Sequence, residues 1–306
     1  MKLRYFVPRL AIVALYFIQI CASLLTTGAA VARDAYGTQA LVRLDNGRPG
    51  VMLTVNGQGP FLFMIDTATS NTVLTKALAA LLHVPRLPGA EFDVVTASGA
   101  VRSHFYHVDE MTMAGVTVEG VRVVVFDLPV QFGIMGALGA DFLSNFAVDL
   151  NLPQHAVTLY PQGAEFPTDG LTRVRGTLNA HGFIIVPVRV SNIYAAGAFD
   201  SGAELTVANS RLAAYARNVG MLTVERQVEH KVTDAAQMKR DAQSHDFERI
   251  SLGPTTWIGP SVMISDMRVF DQIGIGNQPA IFIGMDLMEG RRIVIDYAGA
   301  SLWLTR

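Results

Sequence analysis

The feature that most limits how this chain can fold is that one pattern occurs in it twice. Phe61-Leu62-Phe63-Met64-Ile65-Asp66-Thr67-Ala68-Thr69 and Ala195-Ala196-Gly197-Ala198-Phe199-Asp200-Ser201-Gly202-Ala203 each run from an apolar stretch into Asp, a hydroxyl residue and small residues. Later landmarks repeat in the same order. Met113-Ala114-Gly115 corresponds to Leu252-Gly253-Pro254, Leu138-Gly139-Ala140-Asp141 to Ile283-Gly284-Met285-Asp286, and Ala147-Val148-Asp149 to Val294-Ile295-Asp296. The separations are 134 residues for Asp66 and Asp200, 138 for Gly115 and Gly253, 145 for Gly139 and Gly284, and 147 for Asp149 and Asp296. They grow slowly and never reverse, as one duplicated unit with small insertions requires.

The two copies divide the chain into lobes at 33–163 and 171–306, with 161–170 as the connection. Within each, apolar runs are short and rich in Val, Ile, Leu and Phe, and are broken by Asn-Gly, Ser-Gly and Gly-Pro turn signals. That is the signature of strands and tight turns. Helical patterning is confined to 76–82 and 210–218, both just after the Asp motif. The expected fold class is all-β, in two homologous barrel-like lobes. Half the residues are hydrophobic and 16% are charged, enough apolar material for a substantial core. A net charge of −2 without any basic block argues against a nucleic-acid partner, which needs clustered Lys and Arg.

The first residues form a separate object. Lys2, Arg4 and Arg9 precede an apolar stretch at 10–25, and Ala30-Val31-Ala32 supplies small residues for cleavage. Residues 1–32 are therefore expected to be a signal peptide, with the mature chain starting at Arg33 in the periplasm or outside the cell. The alternative is an uncleaved N-terminal membrane anchor. Cys21, the sole cysteine, falls in this segment, so the mature chain has neither disulfide nor thiol chemistry. Ile18-Gln19-Ile20 lack the small residues that precede a lipid-modified cysteine.

The doubled motif, apolar-apolar-Asp-[Thr/Ser] with small residues after it, is followed by apolar-Gly after 73 residues in copy one and 84 in copy two. It resembles the retropepsin/pepsin family of aspartic proteases, here as an exported single chain with two retropepsin-like repeats. The resemblance covers most of the mature chain. It implies a bilobed acid-protease fold in which Asp66 and Asp200 meet at the lobe interface and share one water. It also implies that the apolar-Gly segments brace the Asp loops and that Thr67 and Ser201 tie the loops together. The implied activity is an aspartic endopeptidase acting on a polypeptide, without cofactor or metal. Two copies in one chain make a monomer sufficient. The alternative is a catalytically silent module that binds an extended peptide or a cell-envelope partner.

The chemistry supports that reading independently. Two carboxylates held close cannot both ionise cheaply, so they share a proton, and one pair supplies both an acid and a base. The small residues Ala68 and Gly202 let the loops approach and aim N–H groups at the carboxylates. Ala68 departs from the family's Gly and is harmless only if its φ is ordinary. Thr69, where copy two has Ala203, is expected to donate to Asp66 and make it the more readily ionised member.

A flap hairpin is expected from 92–97 and 101–106 around Ser98-Gly99-Ala100, with Ser98 and Gly99 as candidate substrate contacts. An ordinary surface hairpin is the competing reading. The polar stretch 224–244 of copy two is open between a second flap, an insertion and a solvated loop. Asp141 and Asp286 read as structural N-caps or buried loop acceptors, and Asp149 and Asp296 as structural residues before strand turns. His104 and His107 fall on opposite faces of a strand and have no third ligand nearby, which argues against zinc. No Gly-x-Ser-x-Gly elbow supports a serine nucleophile.

Overall fold

The computed structural model describes residues 35–44, 47–95, 100–126, 133–218, 222–233 and 239–306. The first lobe is a closed barrel. Its strands run in the order Pro49–Val55, Gln58–Ile65, Ile134–Leu138, Val73–Leu74, Val116–Val125 and Phe105–Met113. The ring shuts where Thr54 and Val55 pair with Thr112 and Met111.

The second lobe repeats the order with Ile184–Val190, Ile193–Phe199, Ala280–Ile283, Val207–Ala208 and Ser261–Ile264. Where the first lobe has two long strands, the second has broken ones. Lys239–Phe247 is followed by Arg249–Leu252, and Thr255–Ile258 by Ser261–Ile264. The ring is therefore nearly rather than fully closed.

Alternation along the strands sets which side chains enter the barrels. In Ile184–Val190, the residues Ile184, Val186, Val188 and Val190 are buried while Pro187 and Arg189 point outward, the period of two that a half-buried strand imposes. Phe63, Phe142, Phe247 and Phe282 are fully buried. The two expected helices form at Lys76–Leu81 and Ser210–Asn218. Each opens on a side-chain cap. Thr75 Oγ1 accepts from Leu78 N at 3.1 Å, and Asn209 Oδ1 from Leu212 N at 3.0 Å.

The lobes share a third sheet of six antiparallel strands. Three come from the first half, Gly37–Ala40, Ala156–Pro161 and Phe146–Asn151, and three from the second, Arg292–Asp296, Ser301–Thr305 and Leu171–Arg175. At the seam Asp149 stands opposite Val294. The Asp149 carboxylate takes a two-pronged grip from Arg292, at 3.0 Å to Nε and 2.7 Å to Nη2. Asp296 accepts from Gly299 N at 2.8 Å and Ser301 Oγ at 3.1 Å. Both aspartates are structural acceptors, as their place before strand turns predicts.

The stretch at 224–244 is not a solvated loop. Leu222–Thr233 and Lys239–Phe247 pair as an antiparallel hairpin, and the second strand also pairs with Ser261–Ile264. A polar stretch can form strands because the ladder satisfies backbone N–H and C=O groups whatever the side chains are. The segment 1–32, expected to be a signal peptide, lies outside the described residues. Among the described residues no helix is long and apolar enough to cross a membrane.

Candidate active site

Asp66 and Asp200 each follow the last residue of a strand at the heart of a lobe, Gln58–Ile65 and Ile193–Phe199. In each case a parallel neighbour fixes the height of the Asp. Asp66 N donates to Leu138 O at 3.0 Å, and Asp200 N to Ile283 O at 2.9 Å. Those neighbours end in Gly139 and Gly284, where no side chain fits. A Cβ on Gly139 would lie 2.5 Å from the Asn71 carbonyl carbon, and one on Gly284 2.6 Å from that of Leu205.

A hydroxyl stands behind each glycine. Gly139 N donates to Thr72 Oγ1 and Gly284 N to Thr206 Oγ1, both at 3.1 Å. The two threonines donate in turn to Asp141 and Asp286, both at 2.7 Å. Burial raises the pKa of both carboxyls, while these hydrogen bonds pull it down. Asp141, half-buried, and Asp286, exposed at the surface, are thus structural acceptors. They sit in the first turn of short helices rather than at the cap, which is Gly139 or Gly284. Thr72 and Thr206 were not singled out in the sequence. Their signal was available, since each lies six residues after the motif Asp in its own copy.

The two loops are hydrogen-bonded to each other. Thr67 N donates to Ser201 Oγ at 3.1 Å, and Ser201 N to Thr67 Oγ1 at 3.0 Å. Each hydroxyl then donates to a carbonyl of the opposite lobe, Thr67 to Phe199 O at 2.8 Å and Ser201 to Ile65 O at 2.7 Å. All four groups are buried, so each bond also removes a desolvation penalty.

The Asp66 carboxyl lies against the opposite loop. A Cβ on Gly202 would come within 2.6 Å of Asp66 Cγ. Backbone donors hold both acids, with Ala68 N at 3.0 Å from Asp66 Oδ1. Gly202 N at 2.9 Å and Ala203 N at 3.0 Å both reach Asp200 Oδ1. Burial pushes Asp66 up to about 6; burial and the charge of Asp66 push Asp200 up to about 8. They titrate as a pair.

The expectation for Thr69 fails. Its hydroxyl donates to Asn71 O at 3.3 Å rather than to Asp66, because the turn after the motif offers a nearer carbonyl. The acid held lower is Asp66, at about 6 against about 8 for Asp200, and Thr69 is not among the groups that lower it. Ala68 meets the condition set for it, since it is not among the positive-φ residues. Its side chain packs against the second-lobe cluster of Phe183, Ala198, Met267 and Phe270.

Sequence reading also passed over two neighbours of the pair. Arg48 Nη1 donates to Gly202 O at 3.5 Å and draws both acids towards the charged form. Tyr297 is buried near Asp66, and burial with that charge pushes its phenol up. Both enter the site from outside the repeated motif, which is why motif spacing did not reveal them.

The hairpin expected around 92–106 forms, with Phe92–Val95 paired to Ala100–Ser103. Phe92 stacks on Phe105 with ring centroids 4.4 Å apart. Phe92–Val95 also lies against the second-lobe helix Arg268–Gln272. Ser98 and Gly99 lie outside the described residues. His104 contacts Arg86, and His107 Nε2 lies 3.2 Å from Asp109. No group of three or more His, Cys, Asp or Glu gathers among the described residues.

Comparison with known proteins agrees with this geometry at the level of family. No curated protein matches the chain. Residues 51–142, from the first barrel strand through the Asp66 loop to the brace beside Asp141, match the family model described as aspartyl protease, so that segment is similar to the aspartyl proteases.

Proposed function

We propose that the chain is an aspartic endopeptidase in which Asp66 and Asp200 share one proton and activate a water molecule between the lobes. The observation that carries the reading is the pair of half-buried carboxyls, both raised by desolvation and set on loops hydrogen-bonded to one another. An isolated turn carboxylate has no reason to be desolvated opposite another acid.

In the reaction, the ionised carboxyl takes a proton from water as the water oxygen bonds to the peptide carbonyl carbon. The protonated carboxyl gives its proton to the carbonyl oxygen, so a neutral tetrahedral diol forms. The newly protonated carboxyl then gives its proton to the amide nitrogen while the ionised one takes a proton from a diol hydroxyl. The C–N bond breaks, and a carboxylic acid and an amine leave. The pair ends the cycle with one proton, as it began. Thr67, Ser201, Ala68 and Gly202 act by holding the carboxyls rather than by touching substrate. The substrate class is an extended polypeptide, and the hairpin at Phe92–Val95 and Ala100–Ser103 is placed in this reading over the cleft. The lobes at 33–163 and 171–306, export after cleavage at Ala32, and a monomeric state belong to the same proposal.

The reading of a silent binding module drew on Ala68. That residue keeps its N–H on Asp66 and finds an apolar seat for its methyl group, so it no longer favours silence.

The test is cleavage of a denatured protein substrate by material expressed with residues 1–32 present, beside Asp66→Asn and Asp200→Asn. The expected result is export with an N-terminus at Arg33, and a loss of about 1,000-fold in kcat for either variant. Equal rates in all three proteins, or an inactive folded wild type, would sink the peptidase reading.

A further inference from the structure

One charged side chain at the site has no role in the mechanism as written. Arg48 stands just before the strand Pro49–Val55 of the first lobe and reaches to the second, where its Nη1 donates to Gly202 O. Its Nε is buried and has no hydrogen-bond partner among the described residues. Leaving a guanidinium nitrogen in that condition costs free energy unless charge nearby compensates. The compensating charge is close at hand. Gly202 donates its N–H to Asp200, and a Cβ on it would meet the carboxyl of Asp66. Arg48 therefore holds a residue that adjoins both acids.

We propose that Arg48 is a positioning residue of the pair: it holds Gly202 in place between the two carboxyls and supplies the positive charge that favours the singly ionised pair. The proposal rests on the reading of Asp66 and Asp200 as a working dyad. The electrostatics agree, since Arg48 lowers the pKa of both acids. The other groups facing the acids are each other and the Tyr297 phenol beside Asp66. Around Arg48 itself, an open cleft of about 530 Å³ between the lobes also exposes Arg43, His155, Glu204, Asp286 and Glu289. Arg43 is engaged by Glu289 at 2.6 Å and Asp286 by Thr206 at 2.7 Å. Arg48 is the cation in this set whose charge reaches both carboxyls.

The sign follows directly. Removing the cation disfavours each ionised form, so both protonation steps move to higher pH and the interval in which the pair holds one proton moves with them. The test is a carboxyl NMR titration of aspartate-labelled full-length mature protein, with the signals assigned from Asp66→Asn and Asp200→Asn. It is run beside the pH profile of kcat/KM for Arg48→Met and Arg48→Lys. Arg48→Met is expected to move both steps alkaline by about one pH unit, while Arg48→Lys restores most of the shift. Unmoved steps in folded Arg48→Met would overturn the proposal. So would a failure of both variants to fold, since Arg48 would then be a structural residue. An inactive wild type would end the peptidase reading, yet the titration would still decide the role of Arg48.

Discussion

The two Asp loops share one hydrogen-bonded skeleton and sit in opposite surroundings. Each Asp follows a central strand and is braced by a Gly backed by a Thr and a second Asp, and each loop offers a hydroxyl to the other. The differences begin at the third motif position. Gly202 has a carboxyl pressed against it and an arginine on its carbonyl, whereas Ala68 points its methyl group into an apolar cluster containing Phe183. Arg48 and Phe183 occupy the same place in the two copies, each seven residues before the last residue of its barrel strand, Val55 or Val190. One half of the site is thus polar, the other apolar. A repeat can keep its backbone bonds while its two faces specialise.

The largest test of that contrast is a swap at the third position. Gly202→Ala forces a methyl group into the space of the Asp66 carboxyl and is expected to lower kcat by about 100-fold or more, because displacing a reacting group by an ångström costs that much. Ala68→Gly, the mirror change, is expected to keep kcat within about threefold and to cost about 1 kcal/mol of stability from the lost methyl burial. Comparable kinetic losses in the two variants would erase the contrast.

An intermediate effect should appear in stability against pH. Both acids bind a proton more tightly folded than unfolded, with values of about 6 and about 8 in the fold. The stability they contribute is complete below about pH 4, the ordinary range of an unfolded Asp, and is lost as pH rises through the folded values. Wild type should therefore lose ground to Asp200→Asn by about 5 °C in Tm between pH 5 and pH 9. A constant gap across that range would mean that the acids are not a coupled pair.

The smallest effect is expected at Thr69. Its hydroxyl serves the Asn71 carbonyl, so Thr69→Ala should leave both limbs of the pH profile of kcat/KM within about 0.2 of wild type, well under the shift a direct hydrogen bond produces. A displaced acidic limb would restore a direct link to Asp66.

How much of this was legible in the sequence depends on the kind of signal. The duplication, the strand-rich fold, the two short helices and the placement of the Asp motifs at strand ends were readable, because backbone geometry leaves a periodic trace. The Thr67–Ser201 bonds were anticipated only through the family resemblance. Thr72 and Thr206 were readable in principle, since they repeat at the same spacing, but a hydroxyl in a polar turn carries no mark of burial. Arg48 and Tyr297 were not readable. They reach the acids through the closing of a barrel and of a shared sheet, and tertiary approach of that kind has no period. The target of the Thr69 hydroxyl was misjudged for a local reason, as choosing between two acceptors a few ångströms apart needs the turn itself.

The shared sheet explains how such asymmetry can persist. Its order is two-fold in pattern, three strands from each half meeting at Phe146–Asn151 and Arg292–Asp296. Between separate subunits this would be an isologous interface, and identical subunits would have to carry Arg, or Phe, at both sites. A tether removes that constraint. It also holds the halves at an effective concentration on the order of millimolar, so the composite site does not come apart on dilution. Joined copies are free to divide labour, one giving the pair its charge and the other its apolar wall.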